Sequence, residues 1–235
     1  MITVSNVTSG SSSSTSGTTA SITTVTGQMY MAAIFSSSGG TQSINNGLGL
    51  TWTSAGSATG STGSTQGTMF YAVCSAGSTG TLAVTIGASS GGGWNIDTII
   101  GQSASTPYIN TTSNSGGGVS GSGSGSITIN MSSYSNPNNL TYLMSWDQSV
   151  GGTLSLSLSS GFTQTYLNNS LPAGVSYVNG MMVQYMIGAT SFSVGYAVTS
   201  GSAAAVTGLA VQIGAPPPAA NTQVGNSLML FGSGI

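Results

Sequence analysis

The chain has 235 residues and a formal net charge of −2, from two acidic residues against no lysine, arginine or histidine. Phosphate binding draws largely on lysine and arginine, as does attraction to anionic lipid, so nucleic acid and membrane are both set aside as partners. A charge this close to zero gives little colloidal repulsion and suits a subunit held in an assembly better than a concentrated free monomer.

The opening, MITVSNVTSGSSSS, lacks the basic and apolar regions of a signal peptide. Residues 6–27 are mostly Ser, Thr and Gly and read as an extended arm or loop. After that, period-2 alternation dominates, with no convincing helical period. QMYMAAIF (28–35) predicts a strand buried on both faces or nearly so. GLGLTWT (47–53) predicts a strand with Leu48, Leu50 and Trp52 on one face. MFYAV (69–73) follows, then TLAVTIG (81–87) with Leu82, Val84 and Ile86 inward, and WNIDTII (94–100).

The tract SNSGGGVSGSGSGS (113–126) predicts a flexible loop. Strands resume at ITINM (127–131), LTYLMSWD (140–147), TLSLSLS (153–159) and FTQTYL (162–167). They continue through SYVNGMMVQYMIG (176–188), where Gly180 is a candidate break, SFSVGYAVT (191–199) and AAAVTGLAVQIG (203–214). The prolines of GAPPPAA (214–220) end the pattern, because proline cannot sit in a central ladder. LAVTIGASSGGGWNIDTIIG and FSVGYAVTSGSAAAVTGLAVQIG are alike in placing strand, small-residue turn and strand, and read as two hairpins of one domain rather than a repeat array.

About a dozen short strands with Gly-, Ser- and Asn-rich turns predict an all-β, antiparallel sandwich or barrel. The expected division is a Ser/Thr-rich arm at 1–27, a β-sandwich at 28–214 and a Pro-containing tail at 215–235. Sheet edges usually carry lysine or other charges as protection, and none is available. The edges are therefore expected to be covered within the fold or paired with neighbouring subunits, the second being favoured for at least one edge.

Gly49-Leu50-Thr51-Trp52, then Tyr71-Ala72-Val73, then Gly80, Thr81, Val84 and Thr85, then Trp94 form an order that resembles a group of β-sandwich proteins of tailed phages and bacterial prophages. The match covers roughly residues 28–213. It rests on core and turn residues, which speak for fold more than function. The resemblance implies a jelly-roll-like sandwich displayed on a virion or cell surface, and brings no catalytic motif with it.

Chemistry has little to work with. A serine nucleophile has no histidine or lysine to activate it. Asp97, in WNIDTII, and Asp147, in LMSWDQS, are the only carboxylate side chains. Neither precedes the Thr-Gly of aspartic proteases, and two separated carboxylates are a thin basis for calcium. Each lies by a strand tryptophan, so Trp94, Asp97, Trp146 and Asp147 are candidate glycan contacts. The blander reading, preferred for all four, is core tryptophans and strand-end aspartates bonded to turns. Cys74, the single cysteine, reads as a small buried hydrophobe.

The expectation is a non-enzymatic structural protein with no cofactor and no metal, on the exterior of a virion as capsid decoration or a head or tail fibre component. It would be homo-oligomeric, with copies of itself and other virion proteins as partners and host surface glycans as a further one. Sheet edges and terminal arms would hold the assembly, with Leu228, Met229, Leu230 and Phe231 as a candidate anchor adding a strand to a neighbour. The alternatives are an extracellular filament or surface layer held by strand exchange, and a glycan-binding receptor module.

Overall fold

The computed structural model describes residues 1–60, 64–87, 91–116, 123–132, 136–150, 152–172, 177–198, 202–203 and 206–217. Every regular element among them is a β-strand, and every strand pair is antiparallel. The first half contains β1 (Thr3–Ser12), β2 (Ser16–Thr18), β3 (Ile22–Thr23), β4 (Met29–Ser36), β5 (Ser43–Ile44), β6 (Thr53–Thr59), β7 (Gln66–Val73), β8 (Thr79–Gly80), β9 (Ala83–Thr85) and β10 (Gly92–Ile100). The second contains β11 (Tyr108–Gly116), β12 (Gly123–Asn130), β13 (Leu140–Val150), β14 (Leu154–Ser157), β15 (Thr163–Leu171), β16 (Tyr177–Ile187), β17 (Ser191–Val198), β18 (Ser202–Ala203) and β19 (Val206–Ile213).

These strands stack in four layers. Two inner sheets, β1-β10-β4-β7-β6 and β11-β19-β13-β16-β15, pack face to face. The short sheets β2-β9-β5 and β3-β8 cover the outer face of the first, and β12-β17-β14 covers the outer face of the second. Each inner sheet therefore feeds two cores. In β4, Met29, Met31, Ala33 and Phe35 enter the central core, while Tyr30, Ala32 and Ile34 enter the outer one. All eight residues of β4 and of β19 are buried, which is why MYMAAIF is a continuous apolar run rather than an alternating one.

The two halves follow one path. Leaving aside the small extra strands β3, β8 and β18, each half has eight strands. In both, the inner sheet orders them first, eighth, third, sixth, fifth, and the outer sheet orders them second, seventh, fourth. Where they face each other, β1 lies over β15 and β11 lies over β6. First strand meets fifth in both directions, the arrangement of an isologous dimer made within one chain. Even a fine irregularity repeats. The row Asp97–Met31–Tyr71–Thr53 corresponds to Val211–Tyr142–Tyr185–Thr163, and two residues past its end both fifth strands bulge, at Ala55 and at Thr165.

Several sequence expectations change here. LAVTIG…WNIDTIIG and FSVGYAVT…LAVQIG are not hairpins: β9 lies in an outer sheet and β10 in an inner one, and β17 and β19 are separated in the same way. Each is a crossing between layers, and the likeness extends to the whole half.

The segment 1–27 is not an arm, since it holds β1, β2 and β3, with Ile2, Val4 and Thr8 inward. Its alternation is hidden because Gly10 and Gly17 stand where an apolar residue was expected. A Cβ on either would run into the Trp94 ring.

GLGLTWT is a tight turn, not a strand. Leu48 and Gly49 have φ of 54° and 74°, and Gly47 and Leu50 bond each other reciprocally at 2.8 and 3.1 Å. Two positive φ values at the centre of a two-residue loop fit the twist of the flanking strands.

Gly180 causes no break, since it pairs with Asp147 in the middle of β16. The ends of the 113–126 tract belong to β11 and β12, and residues 117–122 lie outside the described ones.

Candidate functional site

Asp97 is fully buried at the centre of the molecule. β10 turns it toward the facing inner sheet. There the Tyr142 hydroxyl donates to its Oδ2 at 2.7 Å and the Thr165 hydroxyl donates to the same oxygen at 2.6 Å. From the neighbouring β1, the Asn6 amide donates to Oδ1 at 3.1 Å and to the Asn95 side chain at 2.6 Å. Thr165 is the bulge residue of β15, so the bulge itself supplies a donor. Burial, and then the Asp97 carboxyl beside it, hold the Tyr142 hydroxyl well above the ordinary tyrosine range. Tyr142 therefore stays protonated and donating.

The cluster joins both halves around a carboxylate and a tyrosine that are fully buried, with the half-buried Thr165 and the exposed Asn6 at its outer side. Fully satisfied buried networks are costly to break and fix one arrangement.

Asp147 does not join it. Tyr142 and Asp147 are five positions apart on β13, an odd spacing that puts them on opposite faces. Asp147 is itself buried and accepts from the Gln148 backbone amide at 2.6 Å. Trp94 is 4% exposed and Trp146 0%. Trp146 packs at 6.4 Å from the Phe35 ring and donates to Thr65 at 3.3 Å.

Trp94, Asp97, Trp146 and Asp147 thus have no face to offer a sugar, and their place as candidate glycan contacts is corrected to interior packing. Cys74 is buried in an outer core. Among the described residues no three His, Cys, Asp or Glu side chains converge, and no helix is long and apolar enough to cross a membrane.

What remains exposed is edges and grooves. The four outermost strands of the inner sheets are β1, β6, β11 and β15, and each one carries a bulge, at Val7, Ala55, Ile109 and Thr165. The interior pairs, β10–β4, β4–β7, β19–β13 and β13–β16, carry none. A bulge twists an edge and spoils it as a template for another strand. The outer-sheet edges are guarded by other means. β2 and β5 are three and two residues long. Asn169 accepts from the Leu156 backbone amide on β14 at 3.2 Å, and Asn114 donates to the Thr128 carbonyl on β12 at 2.8 Å. Geometry and asparagine side chains thus do the work that charge does elsewhere.

Two grooves stand out. One, of about 520 Å³, opens at the end of the central core between Met1, Ile2, Ile187, Ala215, Pro216 and Pro217. Its rim is pinned: Asn139 accepts from the Ala215 amide at 2.9 Å and Asn136 donates to the Pro216 carbonyl at 3.0 Å. The other lies over β6 and β7 and is lined by Gln42, Ser54, Ser57, Gln66, Thr68 and Phe70. Sequence reading missed both grooves, because each joins residues far apart in the chain. Leu228, Met229, Leu230 and Phe231 lie outside the described residues. Compared with known proteins, the chain matches no family model, no curated protein and no solved structure.

Proposed function

We propose that this protein is a non-enzymatic structural subunit on the exterior of a virion, serving as capsid decoration or a fibre component, and that each half is a jelly-roll-like sandwich. The observation that carries this reading is the eight-strand path made twice. Paired sheets of eight antiparallel strands are a recurrent frame of viral capsid domains. Only the fifth strand departs from a jelly roll, joining the inner sheet instead of the outer.

Further support comes from the near-absence of charge and the shape of the interior. The two carboxylates are buried on different sheets, Asp97 on β10 and Asp147 on β13, and no histidine or lysine exists to pair with either. The assembly route narrows as well. The bulged edges disfavour strand pairing between inner sheets, and the N-terminal segment is consumed in the fold. The C-terminal tail is what remains of the expected terminal arms.

Electron microscopy of the source material with a specific label tests this reading. Copies arrayed on a head or tail are expected. Continuous filaments of this chain alone would replace it with the surface-polymer reading, and a soluble monomer would defeat both.

A second reading, glycan binding, has one observation in its favour. The groove over β6 and β7 sets uncharged hydrogen-bonding groups beside the half-buried Phe70. An array of neutral glycans tests it: binding abolished by Phe70→Ala would favour this reading.

A further inference from the structure

We propose that the apolar groove at the end of the central core receives the Leu228–Phe231 segment of a second copy of this chain. This rests on the assembly reading above and names its contact.

The groove is an unfinished end of the main core. Ile2, Ile213 and Ala215 belong to or pack against the central cluster, while Met1 is fully exposed and Ile187 is 36% exposed. Apolar surface left open at the mouth of a core gains stability from any apolar side chain that covers it, roughly 25 cal/mol for each Å² removed from water. The chain offers one strongly apolar segment beyond the described fold, Leu-Met-Leu-Phe at 228–231. It follows the groove's own rim by eleven residues.

Three features place that segment on a neighbour rather than on its own groove. First, the rim is made by Pro216 and Pro217, held by Asn136 and Asn139, and the next residue is again proline. A proline run favours the stiff polyproline II form, with about 3.1 Å of rise per residue, a sequence suited to reaching outward rather than turning back at the rim.

Second, residues 218–224 contain no glycine, and the first strong turn signal is Gly225-Asn226-Ser227. A sequence without glycine favours reach over an early reversal. Across a contact with another copy, the whole reach of about 35 Å is usable. Third, the edges of the inner sheets are bulged, leaving the tail as the element free to join copies. The contact pairs a groove with a tail rather than like with like, so it is heterologous and propagates from copy to copy.

Two full-length variants test this. One carries Leu228→Ser, Leu230→Ser and Phe231→Ser and keeps its groove. The other carries Ile187→Asp, a rim position exposed enough to accept the charge, and keeps its tail. Mass by light scattering is read for each alone and for their equimolar mixture, with thermal unfolding as a check that both fold.

Each variant alone should be a monomer where the unaltered chain is larger, and the mixture should stop at dimers, having one intact groove and one intact tail to share. An unaltered chain that stays monomeric, a variant that assembles like the parent, or a mixture that forms no dimer would each overturn the proposal; the last would place the tail in its own groove. A monomeric unaltered chain would defeat the assembly reading as well, whereas a parent that assembles and a variant that assembles like it would overturn this contact alone and leave the virion reading to microscopy.

Discussion

The two ends of the row that crosses the central core have one backbone and opposite chemistry. On one side, Asp97 is bonded by Tyr142, Thr165 and Asn6. On the other, the corresponding residues are Val211, Met31, Ala55 and Thr111, three of them in the apolar cluster. The strand path is the same, so the polar set is not required for the fold. It distinguishes one side from the other and ties the two halves in a single register. Asymmetric buried polar groups elsewhere specify which partner sits where at some cost in stability.

The largest expected effect breaks this comparison on its polar side. Asp97→Ala leaves the buried Tyr142 hydroxyl and the half-buried Thr165 hydroxyl without this acceptor and should cost about 3 kcal/mol in urea unfolding. Copying the apolar side, with Asp97→Val, Tyr142→Met and Thr165→Ala together, should return stability to within about 1–2 kcal/mol of the parent. A triple variant as weak as the single one would mean that the two sides are not equivalent.

The halves also differ in bulk. Trp146 and Met181 stand on one side where Phe35 and Gly67 stand on the other, and the large ring fills the space the glycine leaves. A Cβ at Gly67 would lie 2.6 Å from Trp146 Cζ3. Gly67→Ala should therefore lower stability by about 1–3 kcal/mol through overpacking. An unchanged midpoint would show that the ring can shift.

The alkaline limb gives the next effect. The Tyr142 hydroxyl is held above the ordinary range by burial and then by Asp97, and those of Tyr108 and Tyr166 are raised chiefly by burial. Above about pH 10 the unfolded chain loses these protons while the folded one keeps them. The contribution is thus whole below about pH 10 and declines as pH rises toward the folded values, by up to about 1.4 kcal/mol per pH unit for the fully buried Tyr142, with less from Tyr166 and little from Tyr108, whose exposure screens them. Tyr142→Phe should flatten this slope, and an unchanged slope would assign it to other tyrosines.

The smallest effect concerns the edges. Ile109 is the extra residue in β11, between Tyr108 opposite Ile213 and Asn110 opposite Gln212. Removing it straightens the edge without changing those partners. Stability should move by less than about 1 kcal/mol, while concentration-dependent association rises. Light scattering that does not change would show that bulges are not what keeps these edges single.

Much of this architecture was legible in the residues. Period-2 alternation marked β10, β14 and β17, and a long apolar run marked β4, because burial on both faces asks for apolar side chains at every position. The absence of lysine, arginine and histidine set the expectation of no nucleic-acid partner and little acid–base chemistry. The tertiary structure decided the rest. β1 and β2 were invisible because Gly10 and Gly17 are glycine for the sake of Trp94, eighty-four and seventy-seven residues away in the chain. The duplication showed in one pair of stretches alone, LAVTIG…WNIDTIIG and FSVGYAVT…LAVQIG, which read as hairpins; elsewhere corresponding positions share a backbone and not a side chain, as Asp97 and Val211 do. Which strand becomes an edge, and so where a bulge is needed, depends on how the sheets are ordered, and no local stretch of sequence encodes that order.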